Sequence, residues 1–254
     1  MTFFRTFFGH DIDFSKAATM FSIHNLIYIV LAVLTILIVL RVSNRVKSSN
    51  KEYYLKRYWI GLLIILEIMY HIHNWSYPRF SIPLHICSFA VMANIYLLFT
   101  DSKKAFNYAF FFGICGGLMA LSFPNSWGYT YLNFRYYHFI ILHCTIIAVP
   151  IYYYKAYGYR VDYKTLVDVF KNTMILGIAV FLVNGVFLYY GIDSNYWFLN
   201  YIPDNVSNFF TSYPVYIMTF IALMFTSMNL LYVVSNFKEV KEKLLHKIKK
   251  DTLD

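Results

Sequence analysis

The chain has 254 residues, of which 59% are hydrophobic and only 14% are charged, whereas soluble domains carry about 25% charged residues. The formal net charge is +9, but Lys and Arg are concentrated in alternate connections between apolar stretches. This distribution indicates membrane topology and argues against nucleic acid as a partner. The three cysteines lie inside apolar stretches with no CxxC spacing, which argues against a disulfide framework: Cys87, Cys115 and Cys144.

Seven stretches are long and apolar enough to cross a bilayer, because a crossing helix needs about 20 mostly apolar residues. No soluble domain or low-complexity segment interrupts them. The sequence therefore predicts an all-α fold: a polytopic membrane protein with a seven-helix transmembrane bundle over residues 1–236 and a basic tail over residues 237–254. The predicted spans are residues 21–40, 57–75, 82–100, 104–122, 135–154, 170–190 and 213–235.

The positive residues predict the orientation of the bundle. The first, third and fifth connections and the tail hold 18 of the 22 Lys and Arg residues. Positive residues accumulate on the cytoplasmic side, so the N-terminus is predicted outside and the C-terminus inside, in a cell membrane. A bacterial plasma membrane is expected from the high content of Ile, Asn, Lys, Tyr and Phe. The basic tail is expected either to bind anionic inner-leaflet lipids as an interfacial helix or to be a solvated tail.

Polar side chains cluster in the predicted outer halves of the spans, and the inner halves contain almost none. Ionisable groups inside a membrane are costly and mark functional sites. The sequence therefore predicts a site on the outer side. The residues in this layer are Glu67, His71 and His73 in the second span, His85 and Cys87 in the third, Arg135, His138 and His143 in the fifth, and Asn184 in the sixth.

Helical phase refines this layer. Glu67 and His71 are four residues apart and can form a hydrogen bond. His71 and His73 are about 200° apart, so only one of them is expected to face the bundle interior while the helix continues. Pro83 marks the start of the third span, where the backbone is expected to be irregular.

Cys87 is the candidate nucleophile. A thiol needs a base to form the thiolate, and His71, His138 and His143 are all candidates. The alternative is that Cys87 is a small buried hydrophobic residue.

His85, His138 and His143 together with Glu67 or His71 could alternatively bind a metal, but no paired spacing such as HExxH supports this, so no metal is predicted. No other cofactor is predicted, because nucleophilic attack by a thiol needs none.

Three further residues have two open interpretations. Arg135 either binds a lipid phosphate or lies at the membrane interface with its guanidinium in the headgroup region. Asn184 and Asn195 either orient a substrate carbonyl or join helices.

Three segments carry a resemblance to a known family. They are Pro83-Leu84-His85-Ile86-Cys87, then Arg135-Tyr136-Tyr137-His138 with His143, then Asn184 followed by residues 191–199. Over residues 55–235 the chain resembles the YwaF-like integral membrane proteins of Firmicutes, whose animal relatives include an acyltransferase that builds ether phospholipids. The resemblance implies a seven-helix fold and a cysteine acyl-enzyme, with Cys87 as nucleophile and His143 or His138 as its base. The chain departs from the family pattern after Asn195-Tyr196.

Together these features predict a membrane-embedded phospholipid acyltransferase or transacylase that needs no CoA, because acyl-CoA is absent from the outer side. Its expected partner is a membrane phospholipid or lysophospholipid. The alternative is an outward-facing binding or transport protein whose histidines coordinate or titrate, although no internal repeat typical of transporters is found. The residues expected to contact the substrate are His71, Glu67, His85, Arg135, Asn184 and Asn195.

Overall fold

The computed structural model describes residues 2–77, 80–203, 206–237 and 240–242, and all regular secondary structure in these residues is helical. The basic tail beyond residue 242 lies outside the described residues. Between α4 and α7, α5 continues through a π-helical stretch into α6 as one helical rod. The elements are α1 (Thr2–Phe7), α2 (Ile23–Lys47), α3 (Lys51–Trp75), α4 (Ile86–Thr100), α5 (Lys103–Ala109), the π-helix Phe110–Gly116, α6 (Gly117–Ser122), α7 (Phe134–Ala156), α8 (Tyr163–Tyr189) and α9 (Tyr213–Ser235), with 3-10 turns at Tyr196–Phe198 and Ser207–Phe209.

Within the described part of the chain, five helices are long and apolar enough to cross a membrane: α2, the rod Lys103–Ser122, α7, α8 and α9. The helix α4 is apolar but has only 15 residues. Large apolar side chains on the outer helices are exposed, such as Leu182 and Met218, as expected for helices that face lipid. The chain is thus a multi-pass membrane protein, while seven crossings and their orientation stay predictions.

The helix α4 begins later than the sequence predicts. Its first residue is Ile86, and the backbone of His85 is extended as the N-cap (φ −67°, ψ 150°). Pro83 has no amide hydrogen and disfavours a helical conformation at Ile82. The predicted boundary at residue 82 is therefore four residues early, and Cys87 lies in the first turn of the helix.

The central helix is α7. In its apolar stretch 61% of the residues are buried, compared with 56% in the rod of α5 and α6, 22% in α2 and in α8 and 6% in α9. The helices α2, α3 and α4 and the rod of α5 and α6 pack around it. The sequence supports this packing with an uncharged run from Thr145 to Tyr153, all of whose residues are buried. Side chains on α7 are therefore held in fixed positions relative to α4.

An N-terminal segment covers the end of the bundle where α3 ends and α7 begins. The ring of His10 forms hydrogen bonds of 2.9 Å with Tyr129 and with Ser76. The same ring lies 4.2 Å from the ring of His73. His73 is therefore buried against this segment, whereas His71 is buried on the other side of α3, where it is hydrogen-bonded to Ser81. Burial on opposite sides of α3 agrees with the 200° separation predicted for the two histidines. The N-terminal segment lies outside the predicted spans, so its packing on α3 was not predicted.

At the opposite end, an ion-pair network joins α3, α4 and α7. The Lys56 ammonium lies 2.7 Å from Asp101 and 3.4 Å from Glu52. The Tyr157 hydroxyl donates to Glu52 at 2.7 Å, and the Tyr153 hydroxyl donates to Asp101 at 2.5 Å. This network has no signal in the sequence, because Glu52 and Asp101 lie in predicted connections that are distant in sequence.

Replacing Lys56 with Met is expected to destabilise the fold by about 2 kcal/mol. This value lies between the cost of losing an exposed ion pair and that of breaking a fully buried one, since the Lys56 side chain is 15% exposed. The measurement is the midpoint of thermal unfolding in detergent. The control is Lys51→Met, an exposed position on the same helix, which is expected to change stability by about 0.5 kcal/mol or less. Equal shifts in the two variants would contradict this role.

Candidate active site

Cys87 and His143 are in direct contact at the end of the bundle where α4 begins. The Cys87 Sγ lies 3.1 Å from the His143 Nε2. The imidazole is almost completely buried, with 4% of the residue exposed, and the thiol is half-buried. The fold therefore pairs a thiol with a ring nitrogen at hydrogen-bonding distance.

The other nitrogen of His143 fixes the direction of this hydrogen bond. Its Nδ1 lies 2.6 Å from the carbonyl oxygen of Phe139, one turn earlier on α7. A carbonyl oxygen only accepts, so in the neutral ring Nδ1 carries the proton and Nε2 presents its lone pair. The Cys87 thiol therefore donates to Nε2. A nucleophile bonded to a base, which is itself oriented by a third group, is the arrangement expected for nucleophilic catalysis.

Close helix packing holds the His143 turn in place. A Cβ added at Gly117 would lie 2.7 Å from the Ile147 side chain and 3.4 Å from the His143 carbonyl oxygen. Only glycine permits this approach of α6 to α7. The π-helix directly before Gly117 is a rare form that is frequent at functional sites.

His138, the other base implied by the resemblance, faces a different neighbour. Its Nε2 donates to the Leu66 carbonyl oxygen on α3 at 3.0 Å. Its ring stacks on the Tyr70 ring at a centroid distance of 5.6 Å. The structure thus brings His143 to Cys87 and directs His138 toward α3.

A chain of hydrogen bonds links five polar side chains at the end of α3. The His71 ring lies 3.3 Å from Glu67 through Nε2 and 2.9 Å from the Ser81 Oγ through Nδ1. Asn74 donates to the Ser81 Oγ at 3.1 Å and accepts from Arg135 at 3.2 Å. The contact between Glu67 and His71 is the one predicted from their spacing. Ser81 and Asn74 were not predicted as site residues, because an uncharged polar residue near the end of a span does not stand out in the sequence.

Arg135 combines this hydrogen bond with two aromatic contacts. The guanidinium carbon lies 4.1 Å from the centroid of the Tyr70 ring and 5.6 Å from that of Tyr129. These are cation–π distances. Among the residues that the structure describes, no carboxylate forms an ion pair with Arg135.

Asn184 and Asn195 hold the loop that follows α8. The buried Asn184 side chain accepts from the Tyr196 amide at 3.0 Å and donates to the Tyr196 carbonyl at 2.9 Å. Asn195 accepts from the Asn200 amide at 2.9 Å and donates to the Tyr201 carbonyl at 2.9 Å. Both amide groups thus contact backbone, and their predicted contact with a substrate stays a prediction.

This loop lies against the segment that precedes α4. The Tyr196 hydroxyl accepts from the Ile82 amide at 3.0 Å, and the Tyr196 ring lies 4.9 Å from the His85 ring. Trp197 and Phe198 have left-handed backbones (φ 59° and 58°), which is strained for bulky residues and clusters at functional sites. The loop therefore holds the segment before α4 in place, with the His85 ring against Tyr196. Within the described ranges, no group of three or more His, Cys, Asp or Glu side chains is placed to hold a metal ion.

The fold and the site define a multi-pass helical membrane protein with a thiol–imidazole pair at one end of its bundle. The model of the TMEM164 family matches residues 14–232. The chain therefore belongs to the TMEM164 family. No curated protein and no solved structure shows significant similarity to it. The closer likeness to the YwaF-like proteins of Firmicutes and the bacterial plasma membrane stay predictions.

Proposed function

We propose that this protein is a membrane-embedded phospholipid acyltransferase that uses Cys87 as nucleophile and His143 as base. The observation that carries the proposal is the 3.1 Å contact between the Cys87 Sγ and an His143 Nε2 whose ring is oriented by the Phe139 carbonyl. This geometry supports transfer of the thiol proton to Nε2 at the moment of attack. Membership of a membrane family agrees with a lipid substrate.

The first half of the reaction forms an acyl-enzyme. The Cys87 sulfur bonds to the ester carbonyl carbon of a phospholipid while its proton moves to the His143 Nε2. The ester C–O bond then breaks, and Nε2 returns the proton to the departing lysophospholipid oxygen. In the second half, an acceptor hydroxyl gives its proton to Nε2 and attacks the thioester carbonyl, and the thiol regains a proton as it leaves. The cycle consumes no soluble cofactor.

The N-terminus of α4 can stabilise the negative charge that develops on the carbonyl oxygen during these steps. Cys87 is the second residue of α4, and the first amide groups of a helix have no intrahelical acceptor. They also form the positive end of the helix dipole. An oxyanion forming next to the sulfur is stabilised by such preorganised donors.

Arg135 is assigned to the substrate headgroup. Its planar guanidinium matches a phosphate group, and no carboxylate of the described residues neutralises it. The Asn74 and Tyr70 contacts fix its position at the same end of the bundle. A phosphate bound there would place the lipid near the start of α4.

The test is intact-mass spectrometry of the purified protein after incubation with phospholipid vesicles. We expect a mass gain of one acyl chain that neutral hydroxylamine removes, because a thioester is more labile than an ester. Cys87→Ala is expected to lose the adduct, and the control Cys144→Ala, which alters the cysteine next to His143, is expected to keep it. A hydroxylamine-labile adduct that persists in Cys87→Ala would rule out this nucleophile. Absence of any adduct would favour a binding protein in which the histidines and Glu67 contact a ligand without catalysis.

A further inference from the structure

Ser81, His71 and Glu67 form a second hydroxyl–imidazole–carboxylate arrangement, which shares no residue with the Cys87–His143 pair. The Ser81 Oγ lies 2.9 Å from the His71 Nδ1, and the His71 Nε2 lies 3.3 Å from the Glu67 Oε1. A hydroxyl bonded to an imidazole that a carboxylate orients is the general arrangement of an activated serine.

The partners fix the direction of every proton in this arrangement. A carboxylate only accepts, so the His71 Nε2 carries the ring proton and Nδ1 accepts from the Ser81 hydroxyl. Asn74 donates to the Ser81 Oγ, and Arg135 donates to Asn74. All four hydrogen bonds therefore run in one direction, from the guanidinium to the carboxylate. In the common serine triad Nε2 accepts from the serine and Nδ1 donates to the carboxylate, whereas here Nδ1 accepts and Nε2 donates. A neutral imidazole offers one donor and one acceptor in either case.

The arrangement is enclosed but lies near the surface of the bundle end. Ser81 is 7% exposed and His71 is 6% exposed, while the adjacent Phe80 is 51% exposed. The Trp75 indole donates to the Ser81 carbonyl oxygen at 2.9 Å and holds its backbone. Ser81 lies in the segment before α4, at the same end of the bundle as Cys87.

We propose that Ser81 is a second nucleophile, which reacts with carboxylic esters at this end of the bundle. The Ser81 Oγ bonds to the ester carbonyl carbon while its proton moves to the His71 Nδ1, and Glu67 stabilises the imidazolium. The ester C–O bond breaks as Nδ1 returns the proton to the leaving alcohol. Water or another alcohol then releases the acyl group from Ser81 with His71 as base. This activity is independent of the chemistry proposed for Cys87.

The test uses an alkyl fluorophosphonate on the full-length protein in detergent, with peptide mapping by mass spectrometry. In this reaction the Ser81 Oγ bonds to phosphorus, fluoride leaves, and the hydroxyl proton passes to His71. We expect an adduct on Ser81 in the wild type and in Cys87→Ala. Ser81→Ala is expected to lose the adduct, and the buried-serine control Ser88→Ala is expected to keep it.

Two further variants test the role of His71 as base. Each is compared with the wild type only if it elutes as a single species in size-exclusion chromatography. His71→Asn is expected to slow labelling of Ser81 by about 100-fold or more, because it removes the general base. Glu67→Gln keeps the shape but removes the charge and is expected to slow labelling by about tenfold or more. No adduct at Ser81 in the folded wild type, or an unchanged rate in His71→Asn, would overturn the proposal. Acylation of Cys87 without labelling of Ser81 would overturn this inference and leave the proposed function standing.

Discussion

His143→Gln is expected to slow the acylation of Cys87 by about 100-fold or more, while the thiol stays in place. General base catalysis contributes about 10²–10⁴-fold, and a glutamine amide does not accept a proton at neutral pH. His143 is the imidazole that lies within 3.1 Å of the sulfur. The measurement is the rate at which the hydroxylamine-labile adduct appears by intact-mass spectrometry.

The matched control is His138→Gln, which alters a second buried histidine on the same helix. His138 donates to the Leu66 carbonyl oxygen, and a glutamine amide can also donate there. Acylation is therefore expected to stay within about threefold of the wild type, well short of the loss of a general base. If acylation of Cys87 were slow in His138→Gln and normal in His143→Gln, the base would be His138 instead.

The sequence was sufficient to predict the helical membrane fold and to group the residues of the candidate site at one end of the bundle. Apolar stretches of the required length locate the helices, and depth along each helix places Cys87, His71, His138 and His143 at one end. It was not sufficient to select the base. The position of a residue along a helix gives its depth in the membrane but not the neighbour that its side chain faces. Which α7 histidine faces Cys87 depends on how α7 packs against α4.

Three features had no detectable sequence signal, for physical reasons. The N-terminal segment that carries His10 is too polar and short to be read as part of the bundle. The Lys56 network joins charges that each occur in an ordinary loop. The role proposed for Ser81 depends on the His71 ring, which lies ten residues earlier, across the turn between α3 and α4. In each case the feature depends on a contact between segments, which the periodicity of one segment does not encode.

The packing that orients α7 depends on Gly113 in the π-helix. A Cβ at this position would lie 2.3 Å from the Ile146 carbonyl oxygen, a backbone atom that cannot rotate away. Ile146 is three residues after His143, so a shift of α7 to relieve the clash also moves the proposed base. Asn94 lies at the same crossing, where its side chain donates to the Ala90 carbonyl oxygen at 2.8 Å.

Gly113→Ala is therefore expected to lower the free energy of unfolding by about 3 kcal/mol, the upper part of the usual cost of overpacking, and to slow acylation of Cys87. Gly116→Ala is the matched control, three residues along the same stretch. A Cβ there meets no atom within 4 Å, and its backbone is helical (φ −63°, ψ −43°). It is expected to raise stability by about 0.5–1 kcal/mol, because alanine loses less conformational entropy than glycine in a helix. Thermal unfolding in detergent measures the stability, and intact-mass spectrometry measures the acylation rate. Equal stability and equal acylation rates in the two variants would show that close contact at Gly113 does not set the position of α7.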